Sequence, residues 1–271
     1  MSLSTENLNF MISFFRKEIG LAMDESKLYL IRTRLLPLAR KHNIKTIDLL
    51  VDEIQRNQHG AMALEALDHM TTNETLFFRD AYPFEMLKKH LFPELINKKS
   101  SFQKIKIWSA AASTGQEAFS IAMVADKEIP QAESRVKIIG TDISKKSIAY
   151  ANEATYKKME TQRGLGDQNL SKYFSPTEDG TWKVNGHLKS MVEFREANLI
   201  SSTLTSNLTR YSPFDIVFCR NVLIYFDVDQ RKLVVDQIAQ LTDIGGYLLT
   251  GAGEVVEGNS SKWEAVRFEN R

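Results

Sequence analysis

Apolar positions in the first part of the chain recur at helical spacing. Leu8, Met11, Ile12, Phe15 and Ile19 share one face of a 3.6-residue repeat, and Gly20 follows as a stop. Leu28, Ile31, Leu35, Leu36 and Ala39 form a second stripe, in which Pro37 predicts a kink or break. Leu49, Leu50 and Ile54, then Met62, Leu64 and Leu67, continue the pattern to about residue 70. From about residue 103 the rhythm changes. Short β-rich runs at Lys104–Trp108, Val136–Gly140, Met191–Arg195, Phe214–Cys219 and Tyr247–Thr250 alternate with helical patterns at Ala118–Asp126, Lys145–Ala154 and Val228–Leu241. Such alternation predicts crossover units and a mostly parallel sheet covered by helices, with ligands at the carboxyl ends of the strands. Residues 160–190 are polar and carry Gly164, Gly166, Pro176, Gly180 and Gly186. Within them Asn185-Gly186, flanked by Thr181–Val184 and Met191–Phe194, predicts a hairpin turn and a small antiparallel insertion.

The expected fold is therefore α/β, a Rossmann-like sheet with a small antiparallel β insertion, plus an all-helical N-terminal domain. Residues 1–70 are the helical domain, 71–102 a linker and connecting helix, and 103–271 the α/β domain, with the insertion at about 172–195. The 271-residue length accommodates this plan. Hydrophobic residues make up 43% and charged residues 25%, the balance of a soluble globular protein. With 35 Lys+Arg against 34 Asp+Glu, no global field favours nucleic acid, and a basic site must be local. A single cysteine, Cys219, excludes a disulfide framework and a Cys-built metal centre, and the five histidines show no metal spacing. Neither a membrane-length apolar run nor a secretory signal is present, so the expected compartment is the cytoplasm, with no membrane insertion. The expected state is a monomer.

Five segments could carry chemistry. Lys104–Glu117 runs from a strand through small residues into a helix, which suits close approach of a ligand or a plain tight connection. It lacks the dinucleotide glycine fingerprint and the phosphate-loop lysine. Asp142 closes the next strand, where an acid either accepts from ribose hydroxyls or caps the following helix. Together these two segments point to an adenosyl cofactor. In Phe214–Phe226 a buried strand ends in Cys219-Arg220-Asn221, with Tyr225 one turn on. Cys219 reads as core, and Arg220 and Asn221 face either the crevice or loop carbonyls. Thr71–Asp80 is rich in hydrogen-bonding side chains, then Phe77, Phe78 and Arg79. Lys27–Lys45 carries Lys27, Arg32, Arg34, Arg40, Lys41 and Lys45 with no acid, as a solvated face or as a dock for an acidic helical partner.

TTNETLFFRD, IWSAAASTGQEAFSIA, TDIS and FDIVFCRNVLIYFD, in this order, resemble the chemotaxis receptor methyltransferases of the CheR type, and the resemblance covers nearly the whole chain. It implies methyl transfer from S-adenosyl-L-methionine to receptor glutamates, forming γ-methyl esters and S-adenosyl-L-homocysteine, with the receptor cytoplasmic domain as partner. By the same resemblance Asn73, Thr75 and Arg79 line the methionine end, and Glu117 belongs to the pocket. Asp142 holds the ribose and Asn198 and Leu199 border the adenine. Arg220 and Asn221 complete the pocket, and Tyr225 lies beside the methyl group. Arg79 and Tyr225 are the candidate catalytic residues, and Arg32, Arg34, Arg40 and Lys41 the candidate receptor-docking residues. The chemistry is consistent with this inventory. A carboxylate acceptor is already ionised at pH 7, so no general base is required, and an arginine can fork and orient it.

Three stretches depart from the family's pattern. Gly251-Ala252-Gly253-Glu254 stands where the family often has Gly-His-Ser-Glu. The chain after Val266 is short and charged, which predicts an abbreviated final strand. The Ser175–Gly180 loop is short, which predicts independence from a receptor C-terminal pentapeptide tether. The alternatives are a methyltransferase for another acceptor, a sensor that binds S-adenosylmethionine without transfer, and, more distantly, a nucleic-acid-binding module.

Overall fold

The computed structural model describes residues 3–254, 256 and 262–268. The chain forms two compact units, one of residues 1–72 with 224–231, the other of 73–223 with 232–271.

The first unit is helical. Helix α1 (Thr5–Ile19) starts where the Ser4 side chain accepts from the Asn7 amide, and stops at Gly20, whose φ of 73° is the left-handed conformation glycine adopts freely. It buries Leu8, Met11, Phe14 and Phe15. Helix α2 (Leu28–Lys41) buries Ile31, Leu35, Leu38 and Ala39 and runs unbroken through Pro37. The expected break is thus absent; burial of Leu35, Leu38 and Ala39 on both sides of the proline outweighs its helix-breaking tendency. Helix α3 (Ile47–Arg56) is capped by Thr46 and buries Ile47, Leu50, Val51 and Ile54, while Leu49, off that face, is 49% exposed. Helix α4 (Ala61–Met70) buries Ala63, Ala66 and Met70 and leaves Leu64 48% exposed. The inward stripes thus exclude two leucines counted in the sequence pattern. Segment 224–231 joins this unit: Arg16 pairs with Asp227 at 2.7 Å and the Ala22 amide donates to the Tyr225 carbonyl at 2.8 Å.

The second unit is built on five parallel strands. They are β1 (Ile105–Ala110), β2 (Val136–Asp142), β6 (Val192–Glu196), β7 (Phe214–Cys219) and β8 (Thr242–Thr250), in the order β6-β2-β1-β7-β8. β1 and β7 are buried almost throughout, as central parallel strands must be. Three shorter strands, β3 (Thr155–Tyr156), β4 (Phe174–Pro176) and β5 (Trp182–Val184), make an antiparallel sheet in the order β3-β5-β4.

The insertion differs from its sequence reading. Asn185 is not a hairpin turn; its side chain accepts from the Leu188 amide and caps the helix Gly186–Ser190. Met191–Phe194 does not return as a hairpin strand, because Val192–Glu196 pairs with β2 in the main sheet. An Asn-Gly pair serves a helix start as readily as a turn, and only the partner strand decides. The connecting helix expected within 71–102 is present as helical turns over 82–98, and the stretch is packed rather than loose. Phe77, Phe84, Leu87, Leu91, Phe92 and Leu95 are buried in the same core as β1. Phe77 meets Tyr156 of β3 edge-on at 5.1 Å and Phe174 of β4 at 5.6 Å, tying the small sheet to the segment before the main sheet. The expected shortening after Val266 falls on Arg267 to Arg271, of which 269–271 lie outside the described residues.

Candidate active site

In the main sheet the chain builds outward from β1 through β2 to β6 on one side, and through β7 to β8 on the other. The order reverses between β1 and β7, and the carboxyl ends there form the crevice in which an open α/β sheet binds its ligand. Ala110 lies in register with both Thr141 and Cys219. The next residues along each strand, Ala111, Asp142 and Arg220, therefore leave the sheet side by side.

After β1 the backbone turns through Ala111, Ser113 and Gly115, with φ of 61°, 51° and 96°, before the helix Gln116–Glu128 begins. A Cβ on Gly115 would stand 2.9 Å from the Phe194 ring and 3.0 Å from the Tyr156 hydroxyl, so the turn closes only on glycine. Asp142 ends β2 almost buried. Its Oδ2 accepts from the Ser113 amide at 2.8 Å and its Oδ1 from the Ser144 amide at 2.9 Å. Ser144, not Asp142, caps the helix Lys145–Glu153. The Asp142 carboxylate instead ties the turn after β1 to the end of β2.

Arg220 follows β7 with 1% of its side-chain surface exposed. It donates to Glu117 Oε2 at 2.9 Å, to Asp80 Oδ2 at 2.8 Å and to the Arg79 carbonyl at 2.9 Å. Glu117 also accepts from the buried Ser109 hydroxyl at 2.7 Å. Burial pushes the Glu117 carboxyl above its ordinary value of 4.5, with Arg220 and Ser109 acting against that rise. Segment 73–80 is stitched to the same place. The Ser113 hydroxyl donates to the Asn73 carbonyl at 2.8 Å, and the Ser120 hydroxyl accepts from the Phe78 amide at 3.0 Å. Arg79 donates to the Glu74 carbonyl at 3.1 Å, and Thr75 is half-buried between them. Phe78, Asp80 and Ala81 have positive φ, a strained path that this network holds.

Asn198 and Leu199 follow β6. The Asn198 Oδ1 accepts from the Ile200 amide at 3.1 Å, Leu199 is buried, and its carbonyl accepts from Gln237 at 2.8 Å. The Ala197 amide donates to the Asp142 carbonyl at 3.0 Å, which sets this pair beside the end of β2. Asn221 has a φ of 57° and donates its amide to Glu254 Oε2 at 2.8 Å. Glu254 and Ser109 were not among the residues expected from sequence. Ser109 lies inside the small-residue segment and Glu254 inside the Gly251–Glu254 stretch, but nothing in either stretch indicates which side chain it will meet. In the Gly251–Glu254 stretch the departures fall on its two middle residues, while the Gly251 and Asn221 amides both donate to Glu254 Oε2.

The second unit thus brings together Asn73, Thr75, Arg79, Glu117, Asp142, Asn198, Leu199, Arg220 and Asn221 around the carboxyl ends of β1, β2, β6 and β7. Tyr225 belongs to the helical unit, in the turn Leu223–Tyr225. There too lie the basic residues of α2. Arg34 is committed to the end of α4, donating to the Met70 carbonyl, to the Thr71 carbonyl at 3.2 Å and to Thr72 Oγ1 at 2.8 Å. Lys41 pairs with Glu65 at 2.7 Å, Arg32 is half-buried and Arg40 is exposed.

The donor set suits an adenosyl ligand: an acid at the end of β2, small residues after β1, and an arginine whose buried Nε has no hydrogen-bond acceptor. Among the described residues no group of three His, Cys, Asp or Glu is placed to hold a metal ion. No helix among them is long and apolar enough to cross a membrane.

Comparison with known proteins agrees with this layout. Residues 73–271 match the family described as CheR methyltransferase, SAM binding domain, and residues 6–71 match its all-alpha domain. The chain is 38% identical to chemotaxis protein methyltransferase Cher2 of Pseudomonas putida, over 98% of this chain and 96% of that protein. It is 37% identical to chemotaxis protein methyltransferase 1 of Vibrio cholerae, over 98% and 95%. To the chemotaxis protein methyltransferase of Escherichia coli it is 28% identical, over 94% and 86%. With both family domains matched in order over nearly the whole chain, the chain belongs to the CheR family of S-adenosylmethionine-dependent methyltransferases.

Proposed function

We propose that this chain methylates glutamate side chains on the cytoplasmic domain of chemoreceptors, forming γ-methyl esters, and does so without a C-terminal pentapeptide tether on the receptor. The observation that carries the reading is the Arg220 network, which fixes the Arg79 backbone at the crevice between β1 and β7. S-adenosylmethionine, when bound, supplies a methyl group on a positively charged sulfur. Asp142 orients the ribose, Asn198 and Leu199 border the adenine, and Asn73, Thr75, Glu117, Arg220 and Asn221 shape the remaining pocket. Arg79 forks the incoming carboxylate and aligns it for in-line displacement, and Tyr225, assigned from the motif, packs beside the methyl group. No residue accepts a proton, because the acceptor is an anion at pH 7.

The tether part rests on the small sheet. Its edge strands β3 and β4 are two and three residues long, and the turn between β4 and β5 is closed by Asp179 accepting from the Thr181 amide at 3.2 Å. A receptor tail that adds as a strand needs a longer edge than these. In the helical unit Arg32, Arg40 and Lys41 are the docking residues, while Arg34 is committed to the end of α4.

The test uses methyl-labelled S-adenosylmethionine and receptor cytoplasmic fragments with and without their last five residues. Base-labile label at equal rates on both is the expected result. Label only on the tailed fragment would remove the tether claim. Cofactor binding with no label on any fragment would turn the reading toward another acceptor or a sensor.

A further inference from the structure

We infer that Glu254 is a positioning residue of the cofactor site, holding Asn221 in the backbone conformation the site uses. This rests on the proposed place of Asn221 in that site. Asn221 sits in the left-handed region, which costs a non-glycine residue free energy unless its surroundings hold it there. A carboxylate oxygen contributes to the holding. Glu254 Oε2 accepts the Asn221 amide at 2.8 Å and the Gly251 amide at 2.6 Å. The ends of β7 and β8, paired at Cys219 and Thr250, are thus joined just beyond the last ladder bond. The Glu254 amide donates back to the Gly251 carbonyl at 3.1 Å, a tight turn that returns the carboxylate to the strand ends.

Gly251 is the other half of the cradle. A Cβ there would stand 2.5 Å from Glu254 Oε2, 2.9 Å from the Asn221 amide nitrogen and 3.0 Å from Asn221 Nδ2. Residue 251 has to be glycine for carboxylate and asparagine to meet. The interaction asks for one oxygen with two lone pairs, not for a charge, so a glutamine carbonyl in the same place keeps both bonds. Truncation leaves two amides without their acceptor.

The experiment measures cofactor affinity by calorimetry, and KM and kcat for both substrates, on the full chain. Glu254→Ala is expected to weaken cofactor affinity about tenfold, with receptor KM within about twofold of wild type. Glu254→Gln should return affinity to within about threefold. Asn221→Ala should weaken affinity by a similar factor, and the double variant Glu254→Ala/Asn221→Ala no further, because both changes remove the same placement. A Glu254→Ala affinity equal to wild type, beside a weakened Asn221→Ala, would overturn the role of Glu254 alone. Glu254→Gln as weak as Glu254→Ala would overturn it in favour of charge. Asn221→Ala without effect would overturn the placement of Asn221 and this inference with it.

Discussion

Arg220 and Arg40 show how differently the two units use the same side chain. Arg220 has 1% of its side chain exposed and spends its donors on Glu117, Asp80 and a backbone carbonyl. Arg40 lies exposed on α2, in a stretch that carries six cations and no acid. A buried guanidinium has lost its water and holds whatever replaces it in one geometry. A surface guanidinium keeps its water, and its field acts at a distance on an incoming partner. The α/β unit therefore uses charge to fix shape, and the helical unit presents it.

Breaking the buried pair should be the costliest change. Arg220→Ala leaves the Glu117 carboxylate uncompensated and is expected to lower unfolding free energy by about 3–5 kcal/mol, read from denaturant midpoints. The added change Glu117→Gln should recover part of that loss; no recovery would mean that the arginine contributes packing against Phe84, 5.9 Å away, more than charge. Arg79→Ala removes a side chain that the network only aims. Methyl transfer is expected to fall about a hundredfold with cofactor affinity nearly intact, and near-normal turnover would end the carboxylate-fork assignment. Asp142→Ala should weaken cofactor binding by roughly tenfold in calorimetry, whereas unchanged affinity would leave Asp142 as an anchor for Ser113 and Ser144 only.

The surface side of the comparison predicts smaller and salt-sensitive effects. Arg40→Glu should raise the receptor-fragment KM several-fold at low ionic strength and lose most of that effect near 1 M salt, where screening is within about 3 Å. An effect independent of salt would contradict a docking role.

The smallest effect concerns a charged cluster of the α/β unit that is only part-buried. His187 meets Asp126 at 2.6 Å and Glu133 at 3.0 Å. Burial alone would raise the Asp126 carboxyl, but hydrogen bonds from His187, Lys172 and Tyr173 hold it down at about 2. The Asp126 bond pushes His187 above its ordinary 6.5. A histidine raised on folding contributes stability below its unfolded value and loses it as pH climbs through the folded one. The carboxylate contributes above its unfolded value and loses it as pH falls toward 2. His187→Ala should thus destabilise more at about pH 5.5 than at about pH 8.5. The difference should be only a few tenths of a kcal/mol, roughly, because the imidazole side chain is 45% exposed. Equal loss at both pH values would assign His187 to packing.

Much of the fold was legible because its signals are local. Period-3.6 stripes marked the helical region, with a stop at Gly20, and short apolar runs marked the strands of the main sheet, although the run at Met191–Arg195 reads locally as part of the insertion. Asp142 and the small residues before Gly115 stood out because a strand end followed by a helix start is itself a local pattern. The misread stretches are those where a local signal has two outcomes. Pro37 can break a helix or ride in one, and Asn185-Gly186 can turn a hairpin or start a helix. The connecting helix within 71–102 was legible, but that its apolar side chains enter the core around β1 was not.

What the sequence determined by itself, then, is the plan of a helical part followed by an α/β part, where most of the main-sheet strands lie, and the family to which they belong, since periodicity and ordered motifs are properties of neighbours along the chain. Tertiary structure decided which strand the chain after Gly186 joins, which arginine is buried, and that Glu254 reaches Asn221 from 33 residues away. Those outcomes depend on strand register and burial, which bring together groups that no local pattern relates.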